Sequence, residues 1–212
     1  MQVYGTPPSH FTRKVRVLLQ ELGQPYEFVK FEVKHLMSVG AEKFADNPLH
    51  LFPVLVDGDL RIFDSDAICE YVIERYGKGK EISSFFPVFE NRVHDRQRMV
   101  MINGGMSAGV SVIRAGRSGV EDWKKHPWLC QEMEAISGAA SWLERDLGGR
   151  VSYYPGRLTM MDISLQCFLE WAEFREMIKD WGPYPGLVAF MRGWSSRPSF
   201  RATHPSLAEV SL

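Results

Sequence analysis

Two hydrophobic periods divide this chain and barely mix. Stretches that alternate apolar and polar side chains, the period of a β-strand, end at about Phe63. From Pro87 onward the apolar residues recur only at helical spacing, in long patterns running from about Pro87 to Ala115, Pro127 to Leu147, Thr159 to Phe174 and Pro185 to Ser195. A sheet can therefore be built only from the first part of the chain. The reading is an α/β domain over residues 1–77, a Gly- and Ser-bearing linker over 78–86, and an all-α domain over 87–212. Gly104-Gly105 inside the first long helix predicts a weak point or a bend.

The order of elements in the α/β part follows from local signals. Val3-Tyr4 reads as a strand that stops at Gly5-Thr6-Pro7-Pro8. A helix then opens behind Ser9, with Val15, Leu18, Leu19 and Leu22 on one stripe and Gly23 closing it. Glu27 to Val33 alternates as a second strand, and a short helix is expected around Ala41 to Ala45. Val54-Leu55-Val56 and Leu60 to Phe63 form a hairpin about Asp57-Gly58. Ser65 is the expected N-cap of a helix carrying Ile68, Tyr71, Val72 and Tyr76 and closed by Gly77.

Composition removes whole classes of function. With 25 basic against 26 acidic side chains, a net charge of −1 and no basic block, nothing suggests a nucleic-acid partner. No apolar run approaches the ~18 residues of a membrane span, and the N-terminus lacks the pattern of a signal peptide. Cys69, Cys130 and Cys167 lie far apart without metal-type spacing. They read as buried free thiols in a reducing cytoplasm, with no metal.

Three positions could carry chemistry. Pro53 stands directly before a strand, either as a plain kink or as a cis X-Pro bond that leaves the preceding backbone free to pair with a ligand. Asp64-Ser65 can cap the helix they begin, or use that helix N-terminus to hold a foreign carboxylate while the aspartate receives an ammonium group. Ser9 likewise is either a cap or a hydroxyl aimed at a ligand.

Taken in order, YGTPPSHFTRKVRVLL, NPLHLFPVL and DGDLRIFDSDAICEYV resemble the N-terminal thioredoxin-like domain of the cytosolic glutathione S-transferases. The segment from Gly156 to Ile163 resembles that family's helix-start motif, with Thr159 as cap and Asp162 reciprocating. Tyr184-Pro185 and the segment from Arg197 to Thr203 resemble stretches of its bacterial members.

The resemblance implies roles. Pro53 would be the cis-proline, and Phe52 would pair its backbone with the cysteine of glutathione. Ser65 would hold the γ-glutamyl carboxylate, with Asp64 near the amino group. Ser9 falls at the catalytic hydroxyl of the serine-type classes, the phi class among them. There the hydroxyl donates to the sulfur of glutathione and favours the thiolate. A thiol has a reference pKa of about 8.5, and lowering it by ~2 units corresponds to ~2.7 kcal/mol. Pro7 and Pro8 would stiffen the loop that aims the hydroxyl.

The implied reaction is attack of the glutathione thiolate on a small apolar electrophile, by a homodimer joined through the helix after Asp64 and the long helix after Pro87. Isomerisation, dehalogenation, peroxide reduction and a non-catalytic interaction module are the alternatives. His50 and Leu51 depart from the family pattern of glycine and then lysine or glutamine, and Leu51 predicts weakened tripeptide binding. Lys34 and His35 are candidates for the glycine end of the tripeptide, or are plain surface. Position 9 lacks the cysteine of disulfide-forming members, and the Ser-Ser-Cys-Ser signature of maleylacetoacetate isomerases is missing. Tyr4 reads as core or site wall. Met99, Met106 and Trp171 are either walls of the electrophile site or ordinary core.

Overall fold

A computed structural model of the chain describes residues 1–31 and 44–207. Its sheet has the order β2-β1-β3-β4, built from β1 (Gln2–Gly5), β2 (Glu27–Lys30), β3 (Val54–Asp57) and β4 (Leu60–Phe63). β1 runs parallel to β2 and antiparallel to β3, which pairs antiparallel with β4. The parallel pair needs a crossover, and α1 (His10–Glu21) supplies it. Val54 and Leu55 are consecutive and both fully buried, so β3 is covered on both faces. α1 and α2 (Ser65–Tyr76) pack on the sheet and on each other. This is the expected thioredoxin-like unit. Residues 41–43 of the expected short helix around Ala41 to Ala45 lie outside the described residues, as do Val33, Lys34 and His35.

Beyond the sheet the described chain is helical: α3 (Arg92–Arg117), α4 (Pro127–Leu147), α5 (Met160–Phe174), α6 (Pro185–Ser195) and the short α7 (Pro198–Ala202). α5 carries the anticipated capping box, in which the Asp162 carboxylate accepts from the Thr159 N–H (2.9 Å) and hydroxyl (2.6 Å). It also accepts from the Tyr153 N–H at 2.9 Å, which ties the preceding loop to the helix start.

Three local expectations are corrected. The hairpin turns at Gly58-Asp59, because Asp57 pairs with Leu60 as a strand residue and only Gly58, at φ 59°, takes the left-handed value a leading turn glycine allows. The Asp57 carboxylate instead accepts from the Tyr71 and Tyr76 hydroxyls at 2.9 and 2.5 Å. The N-cap of α2 is Asp64, with Ser65 as the first helical residue. α3 continues unbroken through Gly104-Gly105. Its Gly105 and Gly109 make room for α5, since an added Cβ would lie 2.8 Å from the Phe168 ring and 2.5 Å from the Trp171 ring. The tertiary contact outweighs the low helix propensity of glycine.

Two cations of α1 are buried, one paired with a buried anion and the other with a partly exposed one. The Arg13 guanidinium pairs with Glu170 of α5 and also donates to Thr203 Oγ1 (3.3 Å) and to the Phe200 carbonyl (3.1 Å). Lys14 pairs with Asp66 of α2 and donates to Asn103 of α3 at 3.2 Å, while Asn103 donates to Asp66 at 2.6 Å. His10, 1% exposed, has no side-chain hydrogen-bond partner at either ring nitrogen among the described residues and packs against Phe11 and Trp171. Burial, then the charges of Lys14 and Arg175, push its pKa down to about 3 against a smaller opposing pull from the Met106 main chain.

Two stability predictions follow from these groups. Glu170→Ala leaves the Arg13 guanidinium buried without its anion and should cost ~3–5 kcal/mol in denaturant unfolding; a loss under 1 kcal/mol would show that the pair carries little. The folded pKa of His10 lies below its unfolded value of about 6.5, so its contribution is complete above pH 6.5. It declines by ~1.4 kcal/mol per pH unit as pH falls toward 3. Between pH 7 and pH 5 the parent should therefore lose about 2 kcal/mol more than His10→Phe does. Equal pH slopes for the two proteins would refute that assignment.

Candidate functional site

A cleft of about 500 Å³ opens between the loops at one end of the sheet and the helices α3 and α5. Ser9, Phe52, Pro53, Asp64 and Ser65, from three separate loops, all line it.

Ser9 is held at the start of α1 by short-range geometry. Its N–H donates to the Thr6 carbonyl at 3.1 Å, closing the turn that Pro7 and Pro8 occupy. Its Oγ accepts from the Thr12 N–H at 3.2 Å as the helix N-cap. Thr12 is itself pressed on β1, since a Cβ at Gly5 would lie 2.4 Å from its side chain. Capping uses an oxygen lone pair. The hydroxyl proton has no acceptor among the described residues and remains available to a ligand, beside the unpaired N–H groups of the helix start.

The second loop is organised by Asn47, buried at 1% exposure. Its Nδ2 donates to the Leu51 carbonyl (2.8 Å), and its Oδ1 accepts from the Leu49 N–H (2.9 Å). Its carbonyl accepts from the His50 N–H (3.0 Å). His50 takes φ 53° at the position where the family pattern places glycine, and its ring stacks on Phe44 at 5.2 Å. The Phe52–Pro53 peptide bond is cis. The first ladder pair lies at Tyr4 and Val54, and the Phe52 N–H and carbonyl bond to nothing among the described residues. Leu51 is 40% exposed on the rim.

The third loop ends β4. Asp64 adopts φ 73°, and its Oδ1 accepts from the N–H groups of Asp66 (2.8 Å) and Ala67 (3.1 Å). Its second carboxylate oxygen stays free among the described residues. Ser65, 3% exposed, lines the cleft at the first turn of α2, where backbone N–H groups lack helical acceptors.

The facing wall differs from the anticipated one. Met99 and Met106 lie in the core and do not reach this cleft, whereas Trp171 lines it, wedged against Gly109. Tyr4 does not line it either; its hydroxyl donates to Gln2 at 3.1 Å. α3 presents Asn103, Ser107, Val110, Ser111, Arg114 and Arg117, one stripe at helical three- and four-residue steps. Arg175, the C-cap of α5, adds a third guanidinium. Burial, together with the charge of a neighbouring arginine, holds Arg117 and Arg175 below the usual guanidinium range. Sequence reasoning missed these arginines and Asn47. The signals were present: the polar stripe from Asn103 to Arg117, and an Asn-Pro pair opening a turn. Among the described residues no three His, Cys, Asp or Glu side chains cluster as metal ligands, and no helix is long and apolar enough to cross a membrane.

Comparisons with known proteins give the family. Residues 3–81 match the family model described as the glutathione S-transferase N-terminal domain. An uncharacterised GST-like protein of Escherichia coli, YibF, is 30% identical over 212 residues, spanning 98% of this chain and 100% of that protein. Glutathione S-transferase F7 of Arabidopsis thaliana is 34% identical over 85 residues, 40% of this chain and 41% of that protein. Among solved structures, a glutathione S-transferase of Methylobacillus flagellatus with GSH bound superposes with a TM-score of 0.81 at 25% identity. That alignment covers 96% of this chain and 98% of that one. A match along the full length of one such protein, on the same sheet and helices, makes this chain a member of the glutathione S-transferase family.

Proposed function

We propose that the chain is a glutathione transferase of the serine type. One observation carries the reading: Ser9, whose hydroxyl proton has no acceptor among the described residues, lines the same cleft as the Phe52 backbone, unpaired among those residues, and the helix start at Ser65. The GSH-bound Methylobacillus flagellatus structure supports the choice of ligand. Residues 1–77 would hold glutathione, 78–86 link, and 87–212 complete the site.

In this reading glutathione lies along Phe52 and pairs with its free N–H and carbonyl. The γ-glutamyl carboxylate meets the Ser65 hydroxyl and the N–H groups of α2, where the helix dipole favours an anion. Its ammonium group lies near the free oxygen of Asp64. The cysteine thiol then rests above Ser9. Donation from the Ser9 hydroxyl, with the α1 N-terminus behind it, stabilises the thiolate over the thiol. The thiol proton passes to solvent. The thiolate attacks the electrophilic carbon, a C–S bond forms, and the leaving group departs with its bonding pair. Phe11, Val110, Ile113 and Trp171 offer the reacting part of the second substrate an apolar surface. The assembly would be a homodimer through α2 and α3, and the buried thiols of Cys69 and Cys167 suit a reducing cytoplasm.

The exposed Leu51 favours one other reading, a non-catalytic family member, since it offers the tripeptide backbone no polar side chain. Calorimetry with glutathione separates the two, because no heat of binding at millimolar ligand would leave only that second reading.

Ser9 both caps and, in this proposal, catalyses, so the test must separate the roles. Ser9→Gly keeps most of the cap stability, losing a few tenths of a kcal/mol against ~1 kcal/mol for Ser9→Ala. Both should raise the thiol pKa of bound glutathione by ~2 units and lower turnover at neutral pH tenfold or more. The thiolate absorbance titration decides it: a pKa unmoved in Ser9→Gly would remove the hydroxyl from the mechanism.

A further inference from the structure

Three guanidinium groups face one cleft, and none is ion-paired among the described residues. Arg114 and Arg117 sit in the last turn of α3, where a positive charge complements the helix dipole, and that alone could account for two of them. Arg175, at the C-cap of α5, has the same helix-end placement, but its guanidinium carries a further feature. This residue comes from α5, stacks on Phe174 at 5.0 Å, and has its Nε buried without an acceptor. A buried N–H left unmade costs free energy that an incoming acceptor would recover. Like charges gathered on one wall are mutually unfavourable, and among the described residues nothing of opposite sign pairs with them there. Among the described residues Asp64 is the only acid lining the cleft, and its carboxylate caps α2 on the other side.

The glutathione position proposed above does not absorb this charge. Asn103 touches Asp66 in the first turn of α2, beside Ser65. Arg117 lies fourteen residues further along α3, roughly 20 Å away at 1.5 Å per residue. The arginines therefore stand at the opposite end of the cleft from the γ-glutamyl site. The same cleft is lined by the apolar Phe11, Val110, Ile113 and Trp171. An apolar surface that ends in unpaired guanidiniums fits a molecule with an apolar reacting part and an anionic tail, and guanidinium forks suit a planar carboxylate.

We propose that Arg114, Arg117 and Arg175 form a carboxylate subsite for the second substrate, so that this chain selects acidic electrophiles over neutral ones of the same shape. The term second substrate rests on the transferase reading; the subsite itself is tested without turnover.

The probes are 4-chloro-3-nitrobenzoate and its methyl ester, titrated calorimetrically into the full chain saturated with S-methylglutathione, which fills the tripeptide site but cannot react. The acid should bind about tenfold more tightly than the ester, the range of one charge-assisted contact. Raising NaCl to about 0.5 M should weaken the acid and leave the ester unmoved. The triple variant R114Q/R117Q/R175Q, and R117Q alone should the triple variant fold poorly, should narrow the preference while S-methylglutathione affinity stays constant. Equal binding of acid and ester in the parent overturns the proposal. So does a salt-insensitive preference, a preference unchanged in the variants, or displacement of the acid by S-methylglutathione, which would assign the arginines to the tripeptide.

With glutathione itself, the thiolate forms the C–S bond at the ring carbon and chloride leaves with the bonding pair. Divided by the uncatalysed rates, kcat/KM should favour the acid by the same factor as binding. Arginine-dependent binding of the acid with no turnover of either probe would uphold the subsite and count against the transferase reading.

Discussion

Two adjacent cations on α1 have no route to solvent, and the rest of the molecule is arranged around that constraint. Arg13 and Lys14 are essentially fully buried, so each must meet an anion inside the protein. Arg13 finds Glu170 on α5, and Lys14 finds Asp66 on α2 with Asn103 of α3 completing the set. One helix of the α/β unit is thereby fixed to both principal helices that form the far wall of the cleft. A buried pair is weak evidence for net stability, because desolvation opposes the attraction. What it specifies is position. A slide of α1 against α5 would strand a charge, so the start of α1, and with it Ser9, has little freedom to drift from Trp171.

The close approach of α3 and α5 serves the same end from the other side. Gly105 and Gly109 leave no side chain between the helices, and the Phe168 and Trp171 rings fill the space. Trp171 then reaches the cleft next to the His10 ring, 4.1 Å between centroids. The apolar floor of the site is thus part of the interhelical packing. A substrate placed on it meets a surface whose shape is set by the core.

Much of the fold was legible because it depends on local patterns. The bounds of α4 and α6 follow from Pro127 and Pro185 at their first turns and from uninterrupted apolar spacing. The three site loops were legible from breaker residues and family resemblance together. The misreadings arose where tertiary context decides. Asp57-Gly58 has the composition of a hairpin turn, but two tyrosine hydroxyls from α2 draw Asp57 into the strand. Asp64 and Ser65 are both good caps, and only the backbone geometry selects the first. Arg114 and Arg117 look like ordinary charges at a helix end until Arg175, far away in sequence, is placed beside them. Asn47 looks like a loop residue until three of its polar groups are seen holding the loop before Pro53.

The backbone carries one more sign of where the molecule's purpose lies. Of the five non-glycine residues with left-handed φ among the described residues, His50 and Asp64 line the cleft, and Ala45 and Asp46 directly precede Asn47, which also lines it. Such a conformation costs ~1–2 kcal/mol for a residue with a Cβ. At Asp64, whose ψ of 132° lies outside the left-handed helical region, the two capping hydrogen bonds offset part of that cost, as a cap of this kind contributes about 1 kcal/mol. Glycine would adopt the same φ more easily but would bring no carboxylate. Retaining aspartate there keeps both the cap on α2 and a free carboxylate oxygen beside the first turn of that helix. In the proposed reading, that free oxygen is what this position offers the ammonium group of glutathione.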